Sequence, residues 1–163
     1  MSFDLFYFNA LDTASLNDYY EVEIDFQGRR LQLDLNFDSA YINEDRLAHV
    51  NSYLEKLISV HNAVIKAVYD DLETGDSTAE FLNYHIEELD KADLDTLTAD
   101  ADHSQSLEKQ ILSQLRLKRI GFYPESEEYF ATLDFTIGEE ISQYLLVVKM
   151  NSKQGLEEIT MES

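Results

Sequence analysis

Residues 19–37, YYEVEIDFQGRRLQLDLNF, alternate apolar and polar side chains on both sides of a Gln-Gly pair. This alternation is typical of β-strands with one buried face, because successive side chains of a strand point to opposite sides. A two-residue turn at the Gln-Gly pair predicts an antiparallel hairpin that sets Ile24 opposite Leu31. The same register places Asp25 opposite Arg30 on the solvated face. The chain must therefore build a sheet with one apolar face and one polar face.

The segment that follows has the period of a helix. Apolar residues recur three and four positions apart from Leu47 to Leu72, which predicts one long helix over 43–72. Asn43 is the expected N-cap, because its side chain can accept a free backbone N–H of the first turn. Residues 77–80, Ser-Thr-Ala-Glu, have the pattern of a capping box and predict the start of a second helix.

A strongly acidic stretch overlaps these helices and continues beyond them. Between residues 67 and 108 the chain has thirteen Asp and Glu and one basic residue, which is −12 of the total charge of −21. Within it, residues 91–106 have weak periodicity and are predicted to be a loop with some helical turns. A third helix is predicted over 106–115.

Strand patterns return in the last third of the chain. They predict strands over 119–123, 129–137, 143–150 and 156–161, and a weaker pattern near the start predicts one over 5–8. Strands, then helices, then strands is the order of an α+β protein. We therefore expect a single acidic α+β domain over residues 1–163, an antiparallel β-sheet with about three helices packed on one face.

Charge and composition limit the classes of molecule that this chain can bind. The chain has 33 Asp and Glu against 12 Lys and Arg, so its field repels nucleic acid and anionic lipid and attracts a basic protein. An acidic surface that serves only solubility explains the same charge. The chain has no Cys, no signal-peptide pattern and no apolar run near the roughly 20 residues that span a bilayer. We expect a cytoplasmic protein without nucleic-acid or membrane partners, either monomer or homodimer.

Motifs for catalysis and for metal binding are weak. No G-x-S-x-G, P-loop or G-x-G-x-x-G pattern occurs, so no catalytic residue and no cofactor are predicted. His85 and Glu88 share a helix face, but in the reverse order of the Glu-x-x-His metal motif. No metal site is predicted, and His85, Glu88 and His103 are the fallback candidates. Carboxylate pairs among so many acidic residues leave enzymatic activity open.

The last thirty residues, DFTIGEEISQYLLVVKMNSKQGLEEITMES, combine an acidic IGEE, an apolar YLLVV strand, a polar turn and a closing I-x-M-E-S. This stretch, residues 134–163, resembles the bacterial family catalogued as "domain of unknown function 2004". A weaker likeness extends back through GFYPESEEYFATLDF, so that the resemblance lies within the last third of the chain. The resemblance implies a soluble bacterial domain, and it carries no activity.

Small acidic α+β domains without cysteine also look like the immunity proteins that neutralise bacterial toxins. Nuclease toxins have basic clefts, onto which an acidic partner docks fast. We expect an acidic protein-binding module such as an immunity-type inhibitor of a basic toxin. The expected contact residues are the acidic side chains of 70–102 and two tyrosines: Asp70, Asp71, Asp76, Glu87, Glu88, Asp93, Asp95, Asp100, Asp102, Tyr123 and Tyr129. A structural or housekeeping domain and, less favoured, a metal-binding enzyme are the alternatives.

Overall fold

The computed structural model describes residues 1–163 and confirms the α+β class. Strands β1 (Ser2–Leu5) and β2 (Asn9–Asp12) form a separate two-stranded sheet. The main sheet has six strands in the order β3 (Tyr19–Phe26), β4 (Arg29–Asn36), β5 (Arg116–Phe122), β6 (Ala131–Thr136), β7 (Leu145–Met150) and β8 (Leu156–Glu162). Between β4 and β5 lie five helices: α1 (Glu44–Glu55), α2 (Leu57–Thr74), α3 (Ser77–Glu88), α4 (Lys91–Leu97) and α5 (Leu107–Leu112).

Neighbouring strands of the main sheet are antiparallel except for β4 and β5, which are parallel. The expected all-antiparallel sheet is therefore corrected at one pair. Parallel neighbours need a long crossover connection, and the helical segment between β4 and β5 supplies it.

The predicted hairpin is confirmed in its register. Ile24 pairs with Leu31, and Asp25 lies opposite Arg30. Gln27 and its glycine neighbour both have left-handed backbone, with φ of 53° and 79°, which is the geometry of a type I′ turn. The ion pair of Arg30 is made with Glu23, at 3.0 Å.

The helix predicted over 43–72 is two helices, because the backbone breaks at Lys56, whose φ is −119°. Directly after the break Leu57 is buried, whereas the neighbouring apolar residue Ile58 is 60% exposed. Asn43 caps α1 as predicted, by accepting the backbone N–H of Asp45 at 2.8 Å.

Two further helical predictions are corrected. Helix α3 begins at Ser77, but the expected capping box is replaced by Asp71 of α2, whose side chain accepts the backbone N–H of Thr78 at 2.8 Å. The loop predicted over 91–106 has the expected helical turns, but they form a capped helix, α4, in which Asp90 accepts the N–H of Asp93. The break at Lys56 and this added helix explain why five helices are present instead of about three.

Two boundaries near the ends of elements also differ from prediction. The strand expected over 5–8 is wrong: most of that stretch is the turn between β1 and β2, where Tyr7 has a left-handed backbone with φ of 69°. Helix α5 is shorter than predicted, although Ser106 caps it through the N–H of Lys109 at 3.3 Å.

One face of the main sheet packs against the helices. Leu33, Ile120 and Val148 of the sheet lie in the same buried cluster as Val64 and Phe81 of the helices. Alternate residues of the same strands point to the opposite face of the sheet. Most of them are polar, as expected of a sheet face that no helix covers. No helix combines the length and the apolar character that crossing a membrane requires.

Candidate functional site

The face of the main sheet that lies away from the helices, here called the open face, carries the polar side chains of every strand. Two neighbouring rows cross it from edge to edge. The first row is Glu21, Asp34, Gly121, Thr132, Lys149 and Glu158. The second row is Glu23, Gln32, Arg119, Asp134, Val147 and Thr160. Strand register thus brings acidic and basic residues from distant parts of the chain side by side.

A buried ion pair lies at the centre of the open face. Arg119 donates to Asp34 through Nε at 2.6 Å and through Nη2 at 2.8 Å, which is a bidentate pair. Asp34 is completely buried and also accepts the side-chain amides of Gln32, at 3.1 Å, and Asn36, at 2.7 Å. Four donors therefore satisfy a carboxylate that would otherwise be costly to bury.

The missing side chain of Gly121 gives Arg119 its path. A Cβ atom at Gly121 would overlap Nη2 of Arg119 and would lie 3.0 Å from Oδ1 of Asp34. The guanidinium can therefore lie over Gly121 only because this position has no side chain.

Asp134 faces the same guanidinium from the other side. Its Oδ2 accepts from Nη1 of Arg119 at 3.3 Å. Burial raises the pKa of Asp134, Arg119 opposes that rise, and the charges of Glu162 and Asp34 add to it. For Arg119, burial alone would lower the pKa. Hydrogen bonds to Asp34 and Tyr123 and the nearby carboxylates outweigh burial, so the pKa is raised and the guanidinium stays charged. Two carboxylates on one cation leave this cluster with a surplus negative charge.

A second cluster of the same kind lies towards β8. Nζ of Lys149 is 3.3 Å from Glu162 and 3.7 Å from Glu158, and it lies 5.6 Å from the ring centre of Tyr129. A hydrogen bond from Thr160 lowers the pKa of Glu162, and Lys149 lowers it further. Again two carboxylates share one cation.

Between and around these clusters the open face forms a groove of about 880 Å³. Its charged lining has five carboxylates and two cations: Asp18, Asp38, Glu125, Asp134, Glu162, Arg119 and Lys149. Tyr123 and Tyr129, both exposed, also line it. The excess of carboxylates makes the groove attractive to a cationic group and repulsive to an anion.

The residues predicted to contact a partner fall on two surfaces. Tyr123 and Tyr129 lie in the groove, whereas the nine acidic residues lie on α2, α3, α4 and their connecting segments. We call these nine the acidic helical surface: Asp70, Asp71, Asp76, Glu87, Glu88, Asp93, Asp95, Asp100 and Asp102. The buried Asp34 and the charged groove residues Arg119, Asp134, Lys149 and Glu162 were not predicted.

Part of the acidic helical surface has local structural roles. Asp71 is half-buried and caps α3, while Asp70 pairs with Lys66 at 2.9 Å and Asp95 with Lys91 at 2.8 Å. Hydrogen bonds from Ser104 lower the pKa of Asp102. The remaining five members are exposed and have no ion-pair partner: Asp76, Glu87, Glu88, Asp93 and Asp100.

The fallback metal residues are not brought together. His85 is buried, with Nδ1 at 2.7 Å from the carbonyl of Phe81 and Nε2 at 2.7 Å from Oγ of Ser142. Because a carbonyl only accepts, Nδ1 carries the proton and Nε2 accepts from Ser142. Both ring nitrogens are thus occupied, as expected of a core histidine. Glu88 and His103 are exposed, and no group of three or more His, Cys, Asp or Glu side chains is placed to hold a metal ion.

The buried His85 predicts how stability responds to mild acid. Burial lowers its pKa below the ordinary 6.5, although the hydrogen bond to Phe81 opposes the shift. The unfolded chain then binds the proton more readily, so this contribution is complete above about pH 6.5 and is lost as pH falls towards the folded pKa. We expect the free energy of unfolding to fall more between about pH 7.5 and about pH 5 in the wild type than in His85→Gln. Urea unfolding at both pH values measures the difference.

His103→Gln is the matched control, because His103 is exposed. Its pH dependence should follow the wild type. Superimposable pH dependence for wild type and His85→Gln would contradict the assignment of the neutral ring.

Comparison with known proteins found no match among family models, among curated proteins or among solved structures. The resemblance of residues 134–163 to "domain of unknown function 2004" therefore stays a prediction.

Proposed function

We propose that this protein is an acidic protein-binding module whose partner is a basic protein, most concretely an immunity-type inhibitor of a basic toxin in the bacterial cytoplasm. The observation that carries the proposal is the groove of the open face, where two carboxylate-rich clusters lie beside two exposed tyrosines. The resemblance of the last thirty residues to a bacterial family is in line with this setting.

The groove offers a cationic side chain two kinds of contact. Asp134 and Glu162 supply carboxylate oxygens, and each already shares one cation with a second carboxylate. The rings of Tyr123 and Tyr129 supply contact area and a cation–π surface. Lys149 already lies over Tyr129 at 5.6 Å, which is the contact that a partner's lysine or arginine would repeat.

The acidic helical surface contributes over a longer range. Its five unpaired carboxylates contribute to the net charge of −21 of the whole chain. This charge speeds the approach of a basic partner even where these carboxylates do not contact it. This part of the attraction weakens with salt, because ions screen exposed charges beyond about 10 Å at moderate ionic strength.

The test compares one charge inside the groove with one outside it. Asp134→Asn removes a groove carboxylate and leaves Arg119 paired with Asp34, while Asp100→Asn removes the same charge from the acidic helical surface. We expect Asp134→Asn to weaken binding about tenfold, or about 1.4 kcal/mol. Asp100→Asn should act mainly at low salt. The measurement is calorimetric titration with a purified basic nuclease domain, chosen from the genes that neighbour the gene of this chain.

Both variants are first checked for unchanged unfolding. Absence of salt-sensitive binding to any genetically linked basic protein would reject the proposed function and favour a structural domain. Equal losses of binding affinity in Asp134→Asn and Asp100→Asn would show that the groove is not part of the interface.

A further inference from the structure

Strand β3 is an edge of the main sheet, because it pairs only with β4. In a two-residue hairpin the residues that flank the turn exchange backbone hydrogen bonds, and this pattern repeats at every second residue. Phe26 and Ile24 therefore direct their backbone groups at β4. Asp25, Glu23 and Glu21 direct theirs outward, where a further strand would bind.

The open-face side of β3 carries a row of negative charge. Glu21, Glu23 and Asp25 are all exposed and project on this side. Only Glu23 has a cationic partner, Arg30 at 3.0 Å. A strand laid beside β3 would have its own residues directly opposite these three carboxylates.

The other side of the same edge is apolar. Ile24 and Phe26 are half-buried there, beside a pocket of about 400 Å³ that Tyr7 and Ile58 also line. Tyr7 is 47% exposed and Ile58 is 60% exposed, so apolar side chains of this pocket are open to solvent, next to Glu55 and Lys56. An added strand would cover these apolar side chains with every second side chain of its own.

We propose that the β3 edge docks an extended, basic segment of the partner, which joins the main sheet as a seventh strand. The inference rests on the proposed function for the basic character of the partner, and it locates a second contact away from the groove. Backbone hydrogen bonds supply affinity, as in other cases of strand addition, and side chains supply specificity. Lysine or arginine faces the three carboxylates, and alternate apolar residues enter the pocket.

The negative charge of the β3 edge favours a basic segment over a second copy of this chain as the strand that binds there. Two β3 edges placed together would bring two acidic rows side by side, and like charges across strands are destabilising. A basic strand removes that repulsion and neutralises the row.

The experiment uses the full chain and a capped, fluorescent Lys-Val-Lys-Val-Lys-Val-Lys peptide, with binding followed by anisotropy. Glu23→Pro removes one outward N–H but keeps the β4 ladder, since proline is tolerated where an edge N–H faces solvent. Glu23→Gln is the matched control, which removes the same charge and keeps the N–H. We expect saturable binding to the wild type and about tenfold weaker binding to Glu23→Pro than to Glu23→Gln.

A second probe keeps the test valid if Glu23→Pro is misfolded by circular dichroism. The same peptide N-methylated at its lysine amides should bind the wild type at least about tenfold more weakly, because those amides would donate to β3. Equal binding of both peptides, equal binding of both variants, or no binding would overturn the inference. A dimer in sedimentation that Glu23→Pro dissociates would also overturn it, in favour of a second copy. The groove would still be tested separately through Asp134→Asn and the basic nuclease domain.

Discussion

Replacing Arg119 with methionine is expected to lower the free energy of unfolding by about 3–5 kcal/mol. The substitution leaves the carboxylate of Asp34 completely buried with only the amides of Gln32 and Asn36 as donors. Breaking one side of a buried pair is costly because the remaining charge keeps its desolvation penalty and loses its compensation. Urea unfolding at neutral pH, followed by circular dichroism, measures the loss.

Two variants control this result. Lys118→Met removes a cation of the same strand, but that lysine is exposed and pairs with Glu139 on the surface, so little change is expected. Adding Asp34→Asn to Arg119→Met removes the uncompensated charge and should recover part of the loss. A loss for Arg119→Met no larger than that for Lys118→Met would show that the buried pair does not support the fold.

Gly121→Ala is expected to cost about 1–3 kcal/mol, although it adds only one methyl group. The new Cβ would overlap the guanidinium of Arg119, so the bidentate contact with Asp34 would have to shift. The measurement is the same unfolding experiment, carried out in the wild type and in the Arg119→Met background. In that background the clashing group is gone, and the cost of Gly121→Ala should fall. If Gly121→Ala costs the same stability in both backgrounds, the new Cβ atom clashes with the backbone or with another neighbour instead of Arg119.

The hairpin could be predicted to the residue because its information is local. Alternation in β3 and β4 fixes the buried face, and the two-residue turn fixes the register. The helix predicted over 43–72 was wrong at Lys56, because apolar periodicity shows that both halves are helical but does not show a break in the backbone between them. Where α4 replaces a predicted loop, the signal was the Asp90 cap, which the overall acidity of the stretch obscured.

The candidate site was predicted only in part. Tyr123 and Tyr129 stood out as aromatic residues in an acidic context, and both line the groove. Asp34 was visible only as a polar position of a hairpin, and Arg119 only as the first residue of the strand predicted over 119–123. Their meeting depends on the parallel pairing of β4 with β5, across a separation of 85 residues. Local propensity carries no information about that pairing.

The parallel junction of β4 and β5 also bears on how the chain reaches this fold. Every other neighbouring pair in the main sheet joins strands that only a short loop, without a helix, separates in the sequence. Those pairs need only short loops to close, whereas β4 and β5 must find each other across an excursion of about 80 residues, with its larger closure entropy. The hairpin and the four-stranded meander of β5 to β8 can thus assemble as two local units before they join. Asp34 and Arg119 join those two units, so the ion pair beside the groove also links the two neighbouring strands that the longest stretch of chain separates.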